Sequence, residues 1–288
     1  MYRSHFGLIE PPFSLTPDPD FVYVDMQHQT ALDTLMLALE SGEGFVKVTG
    51  EVGTGKTLLC RRLMAALPAS VVSAYLFNPR LEPQGLLRAL AIELGLSPTM
   101  QDDEHAIYQM IEGELLQLAA QGHRVVCCID EAHALPVASL EALRMLSNLE
   151  TNKRKLLQIA LFGQPELDQL LRTPALRSLA SRMGFGVRLD GLALKDFRRY
   201  LKHRMTVAGW QGQRVFTDAA SWMLWRASRG VPRMANVLAH QCLMLAYGKG
   251  TRTVCFKDAW SVCLERQRVF GPVARRQQLA NAWQGDRS

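Results

Sequence analysis

The sequence has no window of about 18 consecutive apolar residues, and its start, Met1-Tyr2-Arg3-Ser4-His5-Phe6, lacks the hydrophobic stretch of a signal peptide. Neither a membrane-spanning helix nor a secretory leader is expected, so the reading is a cytoplasmic protein. The six cysteines, at 60, 127, 128, 242, 255 and 263, show no C-x-x-C spacing and lie mostly within apolar patterns, which argues against a disulfide framework and for reduced core residues. The seven histidines are scattered and give no zinc-ligand spacing. Internal repeats and low-complexity tracts are absent. The excess of positive over negative charge is small away from the C-terminal end. Residues 266–288 hold Arg266, Arg268, Arg275, Arg276 and Arg287 against Asp286, which leaves only +2 of the net +6 for the rest of the chain. Such a body is a poor match for a protein that binds nucleic acid by charge alone; the basic tail is suited to acidic partners or to solubility.

What is present is chemistry for phosphate. Gly50-Glu51-Val52-Gly53-Thr54-Gly55-Lys56-Thr57 fits G-x-x-x-x-G-K-[ST], with the β-prone run Phe45–Thr49 before it and a helical stretch from Lys56 to Leu67 after it. Strand, glycine loop and helix together turn successive N–H groups toward phosphate oxygens, at a helix N-terminus whose partial positive charge favours anions. The glycines are read as permitting backbone angles closed to other residues. The expected contacts to ATP come from Gly50, Val52, Gly53, Thr54, Gly55, Lys56, Thr57 and Leu58; Lys56 reaches the β- and γ-phosphates and Thr57 ligates Mg²⁺. A second run, Arg124–Ile129, is continuously apolar after its first residue and ends in Asp130-Glu131-Ala132-His133, as a buried parallel strand does when it delivers acids at its carboxyl end. Asp130 is assigned to Mg²⁺ and Glu131 to the proton of the attacking water.

At 288 residues, 48% hydrophobic and 21% charged, the chain has room for one large and one small domain. Residues 11–20 hold four prolines and predict an extended arm over 1–24 that wraps the body, pinned by Phe13 and Leu15. Strands at 45–49, 71–77, 124–129, 156–162 and 185–189 alternate with helices over 83–95, 103–121 and 136–150, the pattern of a parallel sheet covered on both faces in a domain over 25–191. Beyond Gly191, read as a hinge, only helices are expected, near 194–208, 217–229, 232–248 and 257–266. They form a small domain over 192–266, with the basic tail at 267–288. Trp222 and Trp225, three apart on one helix, are expected in its core.

With both motifs placed, the sequence resembles the AAA+ ATPases of the general secretion pathway protein A type, and most of all their relative in MSHA (type IV) pilus biogenesis. The resemblance rests on Pro12 to Pro19, Gly44-Phe45-Val46 leading into Thr49–Thr57, Ile129–His133, Leu146–Thr151, Gly163-Gln164-Pro165-Glu166-Leu167 and Gly230-Val231-Pro232-Arg233. It implies a P-loop α/β three-layer sandwich with a five-stranded sheet of order 5-1-4-3-2 and a small all-helical lid domain. It also implies assembly into homo-oligomers with nucleotide at the subunit boundary. By the same resemblance Gln164 is sensor 1, where many AAA+ proteins have Asn, Arg233 is sensor 2, and the arginine finger is Arg182, with Arg177 second. The secretion protein continues into a membrane span and a wall-binding module, and this sequence ends at Ser288 with neither. The expectation is therefore the shorter pilus relative, acting from the cytoplasm on assembly proteins at the inner membrane.

Two further readings differ in class. A transposition or replication-initiation type of regulator would use ATP to bind DNA, with Lys195, Arg198, Arg199, Lys202 and Arg204 on helix 194–208 as phosphate contacts. A scaffold would bind ATP and hardly hydrolyse it. A helicase of the Asp-Glu-Ala-His kind needs a second parallel-sheet lobe, and no such pattern follows residue 190.

Overall fold

The structure is a computed structural model that describes residues 2–16, 18–77, 81–150 and 155–270. Thr151 and the tail from 271 to 288, with Arg275, Arg276, Trp283 and Arg287, lie outside the described residues. In chain order the elements are α1 (Tyr2–Phe6), α2 (Met26–Glu40), β1 (Phe45–Gly50), α3 (Lys56–Ala66), β2 (Val71–Leu76), α4 (Pro83–Glu93), α5 (Glu104–Ala120), β3 (Arg124–Ile129) and α6 (Val137–Leu146). There follow β4 (Leu157–Gly163), α7 (Glu166–Leu171), α8 (Arg177–Ala180), β5 (Met183–Leu189), α9 (Leu194–Val207), α10 (Asp218–Ser228), α11 (Pro232–Gly248) and α12 (Phe256–Phe270). The chain divides into two compact units, one of Met26–Asp190 and one that joins the N-terminal residues up to Asp25 to those from Gly191 onward.

In the first unit the five strands are parallel and ordered β2-β3-β4-β1-β5. The near-continuous apolar sequences of the central strands β3, β4 and β1 follow from burial on both faces, whereas the edge strands β2 and β5 are only partly buried. Phe45, Val125, Cys127, Ile129, Leu157, Ile159 and Leu161 share a core with residues of α4, α5 and α6, while Val46, Val48, Val126, Cys128, Ala160 and Phe162 pack with α2 and α3. The one polar residue inside β4, Gln158, points to the second face and donates from Nε2 to the carbonyls of Leu39 and Glu43 at 2.9 and 2.8 Å. This order makes β3, β4 and β1 neighbours, with Ile129 in register with Leu161 and Thr49 with Gly163. Their carboxyl ends therefore open side by side, where ligands of open parallel sheets bind.

The second unit is helical. Phe197, Leu201, Leu224, Leu238, Ala239 and Cys242 form its buried centre together with Tyr2, Phe6, Leu8, Phe13 and Phe21 from the N-terminal residues. The arm thus differs from the extended strap expected: it opens with α1 and builds part of the helical core. Phe13 is buried as read, but Leu15 is 54% exposed and pins nothing. Arg204 holds the arm instead, donating from Nε to Pro12 O at 2.6 Å and from Nη2 to Ser14 O at 3.1 Å, with its guanidinium 4.5 Å from the centre of the Phe21 ring. Trp225 packs against the core and its indole N–H donates to Leu192 O at 2.8 Å, whereas Trp222, expected inside, is 41% exposed. Cys255 is exposed, and the other five cysteines are buried thiols. The Gly191 segment is held by Leu192 N–H donating to Gly230 O at 2.9 Å. Two helix ends also move: α6 stops at Leu146, four residues early, and α12 runs to Phe270, four residues late.

Candidate nucleotide-binding site

The loop between β1 and α3 is shaped by three glycines, each for its own reason. Gly53 and Gly55 have φ of 86° and 97°, the left-handed region that side chains disfavour. Gly55 is doubly required, since a Cβ there would lie 2.6 Å from Nε2 of His28. Gly50, read from the sequence as a residue of special backbone angle, does not have positive φ; it is small because a Cβ would lie 2.6 Å from Leu189 O and 2.8 Å from Thr54 Oγ1. His28, on α2 and 4% exposed, meets Thr54 O through Nε2 at 3.0 Å. A carbonyl only accepts, so Nε2 carries the proton and supports the loop from beneath. Sequence reading missed His28, whose only local signal was one polar residue on an apolar helix face. Val52 is 49% exposed at the loop tip, Thr54 is buried, and Thr57 and Leu58 are half-buried on the first turn of α3.

Lys56 is 5% exposed, and its ammonium donates to Gly50 O at 2.8 Å and Glu51 O at 2.9 Å. Burial lowers its pKa from the ordinary lysine value, against the opposing pull of Glu131 and Asp130. A buried ammonium held by neutral carbonyls suits an incoming anion. Across the strand ends, Thr57 Oγ1 donates to Asp130 Oδ2 at 2.6 Å, a link between residues 73 apart in sequence that joins the two motifs in one site. Asp130 is 1% exposed, and its other oxygen, Oδ1, accepts the Glu131 N–H at 2.9 Å. Oxygen donors from Thr57 and Asp130 beside a buried ammonium and a glycine cradle fit a Mg²⁺–nucleotide: a hard cation takes oxygen ligands, and phosphates take the loop N–H groups and Lys56.

Immediately after Asp130 the chain turns sharply, with Glu131 at φ 55°, a non-glycine residue in the left-handed region at a cost of about 1 kcal/mol or more. The turn separates the two acids: Asp130 stays buried while the Glu131 side chain is 43% exposed. Glu131 Oε2 accepts from Gln164 Nε2 at 3.3 Å and lies 3.4 Å from His133 Nδ1. Gln164 follows the end of β4, so the third strand end joins the same site.

A family model described as AAA domain matches residues 38–171, which include the loop, both acids and Gln164. The chain is also 42% identical over 258 residues to general secretion pathway protein A of Aeromonas hydrophila, covering 90% of this chain and 47% of that protein. Over most of its length this chain is similar to the AAA+ ATPases of the general secretion pathway protein A type. It spans about half the length of that relative. Among solved structures, the AAA+ fold is similar to the Aeropyrum pernix ORC2 protein in its ADPNP–ADP complexes, with a TM-score of 0.61 at 16% identity over 89% of this chain and 71% of that one. It is also similar to Drosophila ORC bound to DNA, with a TM-score of 0.60 at 16% identity over 91% and 64%. The strand order found is the one expected of an AAA+ core.

The AAA+ residues named outside the motifs fall in separate places. Arg182 immediately precedes β5, whose first residue, Met183, is level with Phe45 at the amino end of β1. The loop leaves the other end of β1, so Arg182 stands about 20 Å away, at the opposite end of the paired strands β1 and β5 from its own chain's glycine loop. There it donates to Asn148 Oδ1 and to Ser147 Oγ at 3.4 Å. Arg177 is exposed as the first residue of α8. Arg233 is exposed as the second residue of α11, in the helical unit, where Pro232 begins the helix and Arg229 and Gly230 before it both have positive φ. Among the described residues no helix is long and apolar enough to cross a membrane, and no cluster of His, Cys, Asp and Glu has metal-binding geometry.

Proposed function

We propose that this chain is a Mg²⁺-dependent ATPase that works as a homo-oligomer and powers or regulates assembly of a type IV, MSHA-like pilus or a secretion system, from the cytoplasmic side of the inner membrane. The observation that carries the chemistry is the 2.6 Å bond from Thr57 to Asp130 beside the buried Lys56 ammonium. In this reading Lys56 turns from its two carbonyls to the β- and γ-phosphates, and the loop from Gly50 to Leu58 supplies N–H donors. Thr57 and Asp130 hold Mg²⁺, which neutralises phosphate charge when bound. Glu131 takes the proton of the attacking water, and the Gln164 amide, 3.3 Å from that carboxylate, orients it as sensor 1. Arg182 serves the neighbouring subunit's site as finger, with Arg177 the second choice, and Arg233 acts as sensor 2. The similarity to general secretion pathway protein A supports the secretion or pilus setting.

Phosphate release measured across a Mg²⁺ titration tests this reading. Glu131→Gln should keep ATP binding within a few-fold of the wild type and lower turnover by about a hundredfold or more. Equal turnover in the two proteins would refute Glu131 as the base.

DNA binding is the competing reading, supported by the fold likeness to ORC bound to DNA and by the cations of α9. The side chains weaken it. Arg204 is buried and tied to carbonyls of the arm, Arg198 pairs with Asp218 at 3.5 Å and Arg199 with Asp196 at 3.4 Å, so of the five only Lys195 and Lys202 have neither such a tie nor an ion pair among the described residues. Gel shifts over a range of salt should show weak binding indifferent to ATP. Tight, ATP-dependent and steeply salt-dependent binding would reverse the ranking.

A further inference from the structure

His133 completes the Asp-Glu-Ala-His sequence, yet nothing in the ATPase reading uses it. It sits in the middle of a single 3₁₀ turn, Ala132–Ala134, that the left-handed Glu131 makes possible. The turn lies close against the exit of β4: a Cβ at Gly163 would be 3.3 Å from the His133 backbone N and 2.9 Å from Leu167 Cδ2. From this turn the His133 side chain, 18% exposed, presents Nδ1 to two groups at once. The backbone N–H of Gln164 is 3.4 Å away and can only donate; Oε2 of Glu131 is also 3.4 Å away and, ionised, can only accept. A single ring nitrogen serves one of them at a time. With its proton on Nε2, the ring accepts from Gln164 and fixes the β4 exit, leaving the carboxylate to the Gln164 side-chain amide alone. With its proton on Nδ1, the ring donates to Glu131 and occupies a lone pair that would otherwise receive the proton of water. All three contacts are longer than the usual 2.9–3.0 Å, so neither arrangement is locked.

We infer that His133 is a positioning residue: its Nδ1 ties the Gln164 main chain to the Glu131 carboxylate, and the choice of partner decides whether that carboxylate is free to act as a base. The inference rests on the ATPase reading and deepens it. His133 does not touch the phosphates in this account; it acts through Glu131 and Gln164.

Three variants test it in the full chain. His133→Ala should lower kcat about tenfold, the effect of losing about one hydrogen bond from the barrier, with KM for ATP and the Kd for ATP unchanged within about twofold. His133→Asn keeps a side-chain oxygen near the position of Nδ1, accepts from Gln164 N–H, and should recover kcat to within about threefold of the wild type. A purely structural role predicts otherwise, with Kd and thermal stability falling together and Asn behaving as Ala does. Turnover by His133→Ala within twofold of the wild type, or no recovery by Asn, overturns the inference. A second readout does not depend on hydrolysis. Nitrogen NMR of the imidazole reports which ring nitrogen carries the proton, and Glu131→Ala, which leaves Gln164 as the sole partner, should shift the ring further toward the Nε2-protonated form. Identical tautomer populations in wild type and Glu131→Ala also overturn it. A wild-type chain that binds but does not turn over ATP would instead sink the hydrolysis reading, leaving the NMR result to decide on His133.

Discussion

At the scale of single residues, the site is built from groups that are costly to bury and therefore need their partners. Lys56 is the clearest case, an ammonium inside the protein held by Gly50 O and Glu51 O. Lys56→Ala removes both the cation and the reason for its pocket. The expected outcome is loss of ATP binding by about a hundredfold or more in calorimetric titration, with the thermal midpoint of the nucleotide-free protein unchanged or raised, because the penalty of a buried charge disappears. Retained ATP affinity would show that the loop is not the phosphate cradle. Gly55→Ala makes the complementary case with no charge involved. At φ 97° and with His28 Nε2 2.6 Å from the added carbon, the loop must move, and ATP binding should fall although Lys56 is intact.

At the scale of elements, the ends of helices and strands carry the specificity. In the helical unit, the first turn of α12 holds Asp258, 4% exposed, which accepts the Cys255 N–H at 2.9 Å and a bond from the Lys249 ammonium at 2.5 Å. Burial alone would raise its pKa, but the bonds from Lys249 and Cys255 outweigh burial and hold it below the ordinary 3.8. The folded protein therefore gives up this proton more readily than the unfolded chain. The resulting stability is complete above the ordinary value and is lost as pH falls through the lower, folded one. Asp258→Asn should cost about 1–2 kcal/mol in urea denaturation at pH 7, and the gap to the wild type should narrow as pH approaches 3. A gap that stays constant over that range would remove the charge from the explanation. Elements were also where the sequence was most and least legible. The runs at β1 and β3 were readable because burial on both sheet faces leaves a continuous apolar signature. The early end of α6 was not, because the leucines to Leu146 and the residues up to Glu150 form one unbroken helix-compatible stretch.

At the scale of the whole molecule, the finger role proposed for Arg182 fixes what kind of assembly that chemistry would require. Its strand register puts it at the end of the strands away from its own glycine loop, so any finger role must be played in a neighbour's site. Arg182→Ala and Lys56→Ala should each be inactive alone, and an equimolar mixture should regain turnover, since about a quarter of the interfaces would then join an intact Lys56 to an intact Arg182. A mixture as inactive as its components would count against the trans arrangement.

The sequence by itself determined the glycine loop after β1, the place of the two acids after β3, the strand order and the succession of a sheet unit by helices, because each is written in local spacing, in burial periodicity or in phrases shared with relatives. Tertiary structure alone decided that His28 props the loop, that His133 stands between Glu131 and Gln164, that Arg204 fastens the N-terminal arm rather than facing solvent, and that Trp222 lies at the surface. Periodicity reports which face of an element is apolar. It carries no record of which polar atom, 26 or 190 residues away, will meet it once the strands are laid side by side.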